Sequence, residues 1–232
     1  MKQKALIFGS NGTIGSYIYD DLINQKYEIF TAGKLNKNNS INHISIDYNC
    51  EFDKDIFINL PEIDVIIWSQ GLNCSDSIEN FELKDINNLI NSNLIFIAYC
   101  INQLMKSKKI KRFARLVIIS SIWQKESRRN KFSYSVSKSA LVGLIKSAAI
   151  DLGSKNILIN AILPGVIDSP MTRLHLSERQ INHVIRETAL KRLPTCEDIA
   201  NAVRFLASPL NKSITGQSIV VDGGFLGLKN NL

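Results

Sequence analysis

Short apolar runs alternate along this chain with longer stretches of helical periodicity. Lys4-Ala5-Leu6-Ile7-Phe8, Ile63–Trp68, Leu116-Val117-Ile118-Ile119 and Ile157–Leu163 are dense in apolar residues and show little polar alternation. Strands buried on both faces of a parallel sheet have this character. Weaker strand patterns occur at Tyr27–Thr31, His43–Ile46 and Ser218–Val221. Helical spacing predicts helices over Thr13–Gln25, about Leu83–Lys108, from Tyr134 to about Leu152, and over Cys196–Ala207. Leu35–Ser40 reads as an asparagine-rich polar loop. Strands alternating with helices predict an α/β fold: a single-domain, Rossmann-type doubly wound parallel sheet of about seven strands, with helices on both faces. No internal repeat or second domain interrupts residues 1–232.

One helix departs from simple amphipathicity. Ala140, Leu141, Val142, Leu144, Ile145, Ala148, Ala149 and Ile150 are apolar around most of its circumference. A surface helix carries one apolar stripe. This one is either sandwiched in the core, covered by the chain's own loops, or packed against a second subunit.

Composition narrows the class. A hydrophobic content of 45% with 21% charged residues in 232 residues suits one soluble domain with a sizeable core. Cys50, Cys74, Cys100 and Cys196 have no C-x-x-C spacing, which predicts reduced thiols in a cytoplasmic protein. His43, His175 and His183 do not cluster as metal ligands, so no metal is expected. The N-terminal apolar run is too short for a signal peptide and reads as the first strand, and no run is long enough to cross a membrane. A net charge of +7 points to an acidic ligand or partner. No nucleic-acid module or aromatic-interleaved basic motif accompanies it.

Three features carry candidate chemistry. Tyr134 and Lys138 project from one face of a helix. An ammonium beside a phenol favours the phenolate, and lowering its pKa from about 10 towards 7 would make Tyr134 a general acid/base. Ser121 follows the run ending at Ile119, at the carboxyl end of a strand, where open α/β sheets bind ligands. Gly9-Ser10-Asn11-Gly12-Thr13-Ile14-Gly15 links the first strand to the first helix. Glycines there let the backbone approach a pyrophosphate, whose charge is favoured at a helix N-terminus. Between Ser121 and Tyr134, Lys125, Arg128, Arg129 and Lys131 form either a solvated loop or a basic mouth for a carboxylate- or phosphate-bearing substrate.

Taken together, these motifs resemble the short-chain dehydrogenase/reductase family over nearly the whole chain. The resemblance implies a catalytic set of Asn93, Ser121, Tyr134 and Lys138. Cofactor contacts are implied for Gly9, Ser10, Asn11, Gly12, Thr13, Ile14 and Gly15, for Asp47 near the adenine, and for Ser69 and Gly71. Tyr134, Lys138, Pro164, Gly165, Ile167 and Ser169 are implied on the nicotinamide side. Ile214-Thr215-Gly216-Gln217 and Val221-Asp222-Gly223-Gly224 are also typical of the family. Thr13 holds the usual second-glycine position, where Gly12 is expected to supply a positive φ instead. Ser69-Gln70-Gly71 replaces Asn-Ala-Gly, and Phe8 stands where threonine is common.

The implied reaction is hydride transfer between nicotinamide and a carbonyl or alcohol carbon. Tyr134 exchanges the proton, Ser121 holds the oxygen, Lys138 also holds the ribose, and Asn93 anchors a proton-relay water. Residues from Asp168 to about Leu193 are expected to form the substrate lid. The substrate reads as a small-molecule or carrier-bound carbonyl or alcohol, nearest to that of 3-oxoacyl-acyl-carrier-protein reductases. A sugar or other small-alcohol dehydrogenase and a catalytically silent nucleotide-binding protein are the alternatives. Arg112 and Lys155 resemble, by spacing, residues that hold the acidic carrier. The family also implies a homodimer or homotetramer. No acidic residue ends the second strand, and Lys34 is placed to meet a 2′-phosphate, which favours NADP(H) over NAD(H).

Overall fold

The computed structural model describes residues 2–34, 41–48, 52–53 and 55–227. Its strands are β1 (Lys4–Phe8), β2 (Glu28–Gly33), β3 (His43–Ser45), β4 (Ile63–Trp68), β5 (Ile110–Ile119), β6 (Leu158–Pro164) and β7 (Ser218–Val221). All pair in parallel, in the order β3-β2-β1-β4-β5-β6-β7. The chain runs outward from β1 to β3, then returns to lay β4 against the other side of β1. That reversal creates a crevice beyond the carboxyl ends of β1 and β4, where such sheets hold ligands.

The helices are α1 (Thr13–Asn24), α2 (Leu83–Ile90), α3 (Phe96–Lys106), α4 (Phe132–Ser139), α5 (Leu141–Gly153), α6 (Pro170–His175), α7 (Glu178–Glu187) and α8 (Cys196–Ala207). Alternate strand residues feed two cores. Leu6, Phe8, Ile66, Trp68, Leu116 and Ile118 pack with Phe96, Ile97 and Ile145 on one face, while Ala5, Ile7, Val65, Ile67 and Val117 pack with Ile18, Leu22 and Ile199 on the other. Burial on both faces explains why these strands read as continuous apolar runs.

The expected strands and helices are present, with four differences. The long helix expected over Leu83–Lys108 is interrupted by a π turn at Asn91–Ile95, between α2 and α3. β5 begins at Ile110, which pairs with Ile63 well before the apolar run; the residues between it and Arg115 bulge from the pairing, and Lys111, Arg112 and Phe113 are exposed. Registry with β4 shifts there, and Phe113 adopts a φ of 67°. The Tyr134-bearing helix divides into α4 and α5 at Ala140, which keeps helical angles. Finally, residues 168–193 contain α6 and α7, started by Ser169 and by a capping box at Ser177. Leu35–Ser40 and Cys50 lie outside the described residues. Cys74, Cys100 and Cys196 are free thiols, Cys74 half-buried and the other two buried.

Candidate active site

The turn after β1 sets the floor of the crevice. Gly9 has a φ of 79°, and a Cβ there would lie 2.6 Å from the Gln70 backbone nitrogen. A Cβ on Gly15 would run into the Gly9 carbonyl, so α1 packs directly on the turn. Gly12 does not supply the expected positive φ. It is extended, at φ −77° and ψ 167°, and its N–H donates to the Gly9 carbonyl at 3.0 Å. The left-handed residue is Gly9, because β1 must reverse beneath β4 there. No side chain caps the start of α1, and Gly12, Thr13 and Ile14 line the crevice. Uncapped first-turn amides beside an open cleft suit an anion. Ser10 is buried and Asn11 half-buried within the turn.

Lys34 and Asp47 stand at the β2–β3 end, outside the cleft lining, and form a 2.8 Å ion pair with each other. The two residues expected to meet different parts of a nucleotide therefore share one corner. Ser69 donates its hydroxyl to the Phe8 carbonyl at 2.7 Å and lies against α1 at Gly15. A Cβ on Gly71 would come within 3.2 Å of Asn93 Oδ1 and 3.4 Å of Lys138 Nζ, so this glycine gives both side chains their room.

The π turn positions Asn93. Its side chain is fully buried, accepts from the Leu72 N–H at 2.8 Å, and donates to the Leu72 carbonyl at 3.0 Å and to Ser137 Oγ at 3.0 Å. Ser137 Oγ donates in turn to the Tyr134 carbonyl at 2.8 Å. Asn93 thus ties the loop after β4 to the tyrosine helix. π turns recur where a helix must re-aim one functional residue.

Ser121 starts a short 3₁₀ turn at Ile122–Gln124 and accepts from the Trp123 N–H at 3.3 Å. Its hydroxyl faces the same cleft as Tyr134 and favours the phenolate there. Lys138 Nζ lies 5.7 Å from the Tyr134 ring centroid and donates to the Ile119 carbonyl at 3.4 Å. The expected lowering of the tyrosine pKa is not found: burial pushes Tyr134 up to about 12, and the Ser121 hydroxyl opposes it only in part. Burial lowers the Lys138 ammonium to about 8. Desolvation disfavours both charged forms and is the largest cause of each shift. Tyr134 stands as a protonated donor beside a lysine that is still mostly charged at neutral pH.

Pro164 and Gly165 end β6 on the far wall. A Cβ on Gly165 would lie 2.7 Å from that of Asp222, whose carboxylate accepts from the Gly224 and Leu226 N–H groups at 2.8 and 2.7 Å. Leu190 N–H donates to the Gly223 carbonyl at 3.0 Å. The C-terminal Val221-Asp222-Gly223-Gly224 segment therefore braces both the Pro-Gly turn and the end of residues 168–193. Ile167 and Ser169 also line the cleft. The Ser169 hydroxyl accepts from the Thr172 N–H at 3.2 Å as the cap of α6.

The cleft encloses about 720 Å³. Tyr134, Ser121, Lys138, Gly71, Thr13 and Gly165 share its walls, as do Arg128 and Lys131, and no Asp or Glu is among the lining residues. The basic cluster is split. Lys125, Arg128 and Arg129 are exposed, and the Arg128 guanidinium lies over the Trp123 ring at 5.8 Å. Lys131 is buried, donates to Asn73 Oδ1 at 2.7 Å and the Cys74 carbonyl at 3.0 Å, and sits 5.4 Å from the Tyr134 ring centroid. Burial lowers its pKa, and the Arg128 charge adds to this. Asp76 accepts from the Ser133 N–H at 3.0 Å, at the start of α4. These tertiary contacts of Lys131 and Asp76 have no local sequence signal. Arg112 and Lys155 are not at the mouth: Arg112 lies near the start of β5 and Lys155 precedes β6, at the amino end of the sheet.

The model for the family described as enoyl-(acyl carrier protein) reductase matches residues 54–226. The chain is 31% identical to the 3-oxoacyl-[acyl-carrier-protein] reductase FabG of Buchnera aphidicola subsp. Schizaphis graminum, over 96% of this chain and 97% of that protein. It is 29% identical to the protein of that name from Rickettsia felis, over 92% and 88%. A short chain dehydrogenase family protein from Francisella tularensis superposes with a TM-score of 0.89, at 25% identity over 98% of this chain and all of that one. Thermoplasma acidophilum aldohexose dehydrogenase has a TM-score of 0.87 at 24% identity, over 100% and 97% of the two chains, a likeness of fold.

Proposed function

The chain belongs to the short-chain dehydrogenase/reductase family, and from its site we propose that it reduces 3-oxoacyl groups borne on an acyl-carrier protein, using NADPH. The observation that carries this reading is the convergence of Ser121, Tyr134 and Lys138 on one cleft, with Lys138 Nζ 5.7 Å from the Tyr134 ring centroid. Two hydroxyl-bearing side chains on one cleft suit a carbonyl oxygen that becomes an alkoxide. This favours C=O reduction, as the names of the FabG relatives suggest, over the enoyl reduction in the family model's description.

The cofactor reading has support in the residues themselves. The Gly9–Gly15 turn leaves first-turn amides uncapped at the cleft, and Lys131, Lys138 and Arg128 line it without a lining carboxylate. A pyrophosphate fits such a field. Lys34 favours a 2′-phosphate, in competition with Asp47. When bound, the reduced nicotinamide supplies the hydride. Lys138 would hold its ribose, and Pro164, Gly165, Ile167 and Ser169 would border its ring. Tyr134 donates the proton to the substrate oxygen, and Ser121 stabilises the charge developing there. The high Tyr134 pKa keeps the phenol protonated, the form that donates in a reduction. Asn93 fixes the Leu72 loop and the Ser137 step behind the tyrosine.

Residues 168–193 are read as the substrate lid, because Met171, Thr172, His175 and Leu176 face the cleft from α6 and its end. The carrier would approach the basic rim at Arg128 and Arg129 rather than Arg112 and Lys155. A homodimer or homotetramer is supported by Val136 and Ile150, which remain 40% and 80% exposed on α4 and α5. No helix among the described residues is long and apolar enough to cross a membrane, and the free Cys74, Cys100 and Cys196 accord with a reducing, cytoplasmic setting.

The test is oxidation of NADPH and of NADH by the purified protein with an acetoacetyl-carrier protein, simple ketones and aldoses as substrates. Preferred turnover of the carrier-bound ketone supports the reading. Preference for an aldose, or cofactor binding without turnover of any carbonyl, assigns the chain to one of the other two functions.

A further inference from the structure

Gln70 follows β4 between Ser69 and Gly71, where the family resemblance leads one to expect alanine. It lines the cleft and is 5% exposed, yet neither its amide oxygen nor its amide nitrogen has a hydrogen-bond partner among the described residues. Its backbone nitrogen abuts Gly9, so the residue stands where the glycine turn meets the crevice. A buried primary amide with both ends unsatisfied is costly, and native proteins rarely keep one without a use.

We propose that the Gln70 side-chain amide, both ends of which are enclosed in the cofactor-free form, turns into the cleft when a dinucleotide binds and gives and accepts hydrogen bonds at the paired hydroxyls of a ribose. The choice of group follows from the amide's chemistry. Its nitrogen only donates and its oxygen only accepts. Phosphate oxygens accept alone and would leave Oε1 orphaned, whereas a ribose hydroxyl does both. The inference rests on the reading that a dinucleotide occupies this cleft.

A ligand role and a framework role predict opposite effects on the cofactor-free protein. An amide held for the cofactor contributes nothing to the free protein, so its removal leaves stability unchanged or higher. An amide that supports the turn contributes to both. The experiment compares wild type with Gln70→Leu and the smaller Gln70→Ala. Urea midpoints are measured without cofactor, and NADPH and NADH dissociation constants by titration calorimetry. The proposal expects midpoints at or above wild type and an NADPH dissociation constant about tenfold weaker in both variants, the loss of one or two net hydrogen bonds. A dissociation constant within twofold of wild type overturns it, and assigns the amide to water. Weakened binding together with a clearly lower midpoint also overturns it, and assigns Gln70 to the frame of the turn. If wild type binds neither dinucleotide, the cofactor reading itself fails and the inference falls with it.

Discussion

Replacing Lys138 by methionine should stabilise the cofactor-free protein while destroying its activity. The side chain is 3% exposed, and burial brings its pKa from the ordinary 10.5 to about 8. At about 1.4 kcal/mol for each tenfold change in proton affinity, keeping it charged costs about 3 kcal/mol at pH 7. Methionine removes that cost but forfeits the 3.4 Å bond to the Ile119 carbonyl and the contact with the Tyr134 ring, together about 1 kcal/mol. The net gain is about 2 kcal/mol, or roughly 4–8 °C in Tm for a chain of this size. The sign of the pH dependence follows. Between about 8 and 10.5 the unfolded lysine holds its proton and the folded one does not, so wild-type stability rises through that window. The advantage of the variant should therefore shrink from about 2 kcal/mol at pH 7 to near zero at pH 10. Urea unfolding of both proteins at matched concentration and pH 7, 8, 9 and 10 measures it, since subunit association also moves the midpoint. A variant less stable than wild type at pH 7, or a difference that stays constant to pH 10, refutes the reasoning.

Other perturbations test separate parts of the site. Gly9→Ala, at a φ of 79° with its Cβ 2.6 Å from Gln70 N, should lower stability by about 2 kcal/mol or more and abolish NADPH binding in a fluorescence titration. Asn93→Ala leaves both Leu72 backbone groups without their partner, so its urea midpoint should correspond to a loss of about 2–4 kcal/mol; an unchanged midpoint counts against the bracing role. Lys34→Ala should cut the preference for NADPH over NADH by about five- to tenfold in dissociation constants, and an unchanged ratio would show that Asp47 keeps Lys34 from the cofactor.

The parts legible in the sequence were those with a local physical signal. β4 and β7 match their expected spans, as does α8, whose start is fixed by a Thr195–Asp198 capping box. Of the residues the motifs point to, Ser121, Tyr134 and Lys138 share the cleft, while Asn93 is fully buried and joined to α4 through Ser137. The π turn at Asn91–Ile95 was not legible, since an inserted residue leaves the apolar pattern of a long helix almost intact. The start of β5 was hidden by the exposed Lys111, Arg112 and Phe113. Lys131 read as a loop lysine because Asn73 and Cys74, its acceptors, are remote in sequence. The pKa of Tyr134 is hidden for a related reason: spacing reveals the neighbouring charge of Lys138, while burial depends on the whole fold.

The central claim is that Tyr134 donates the proton while other residues hold the cofactor. Tyr134→Phe preserves the ring and removes the hydroxyl from the cleft wall. Single-turnover reduction of a carrier-bound 3-ketone by NADPH, paired with the NADPH dissociation constant of the same preparation, tests it most directly. The account predicts hydride transfer slowed by about 10²–10⁴-fold, with cofactor affinity within about twofold of wild type. Hydride transfer at near wild-type rate would contradict it.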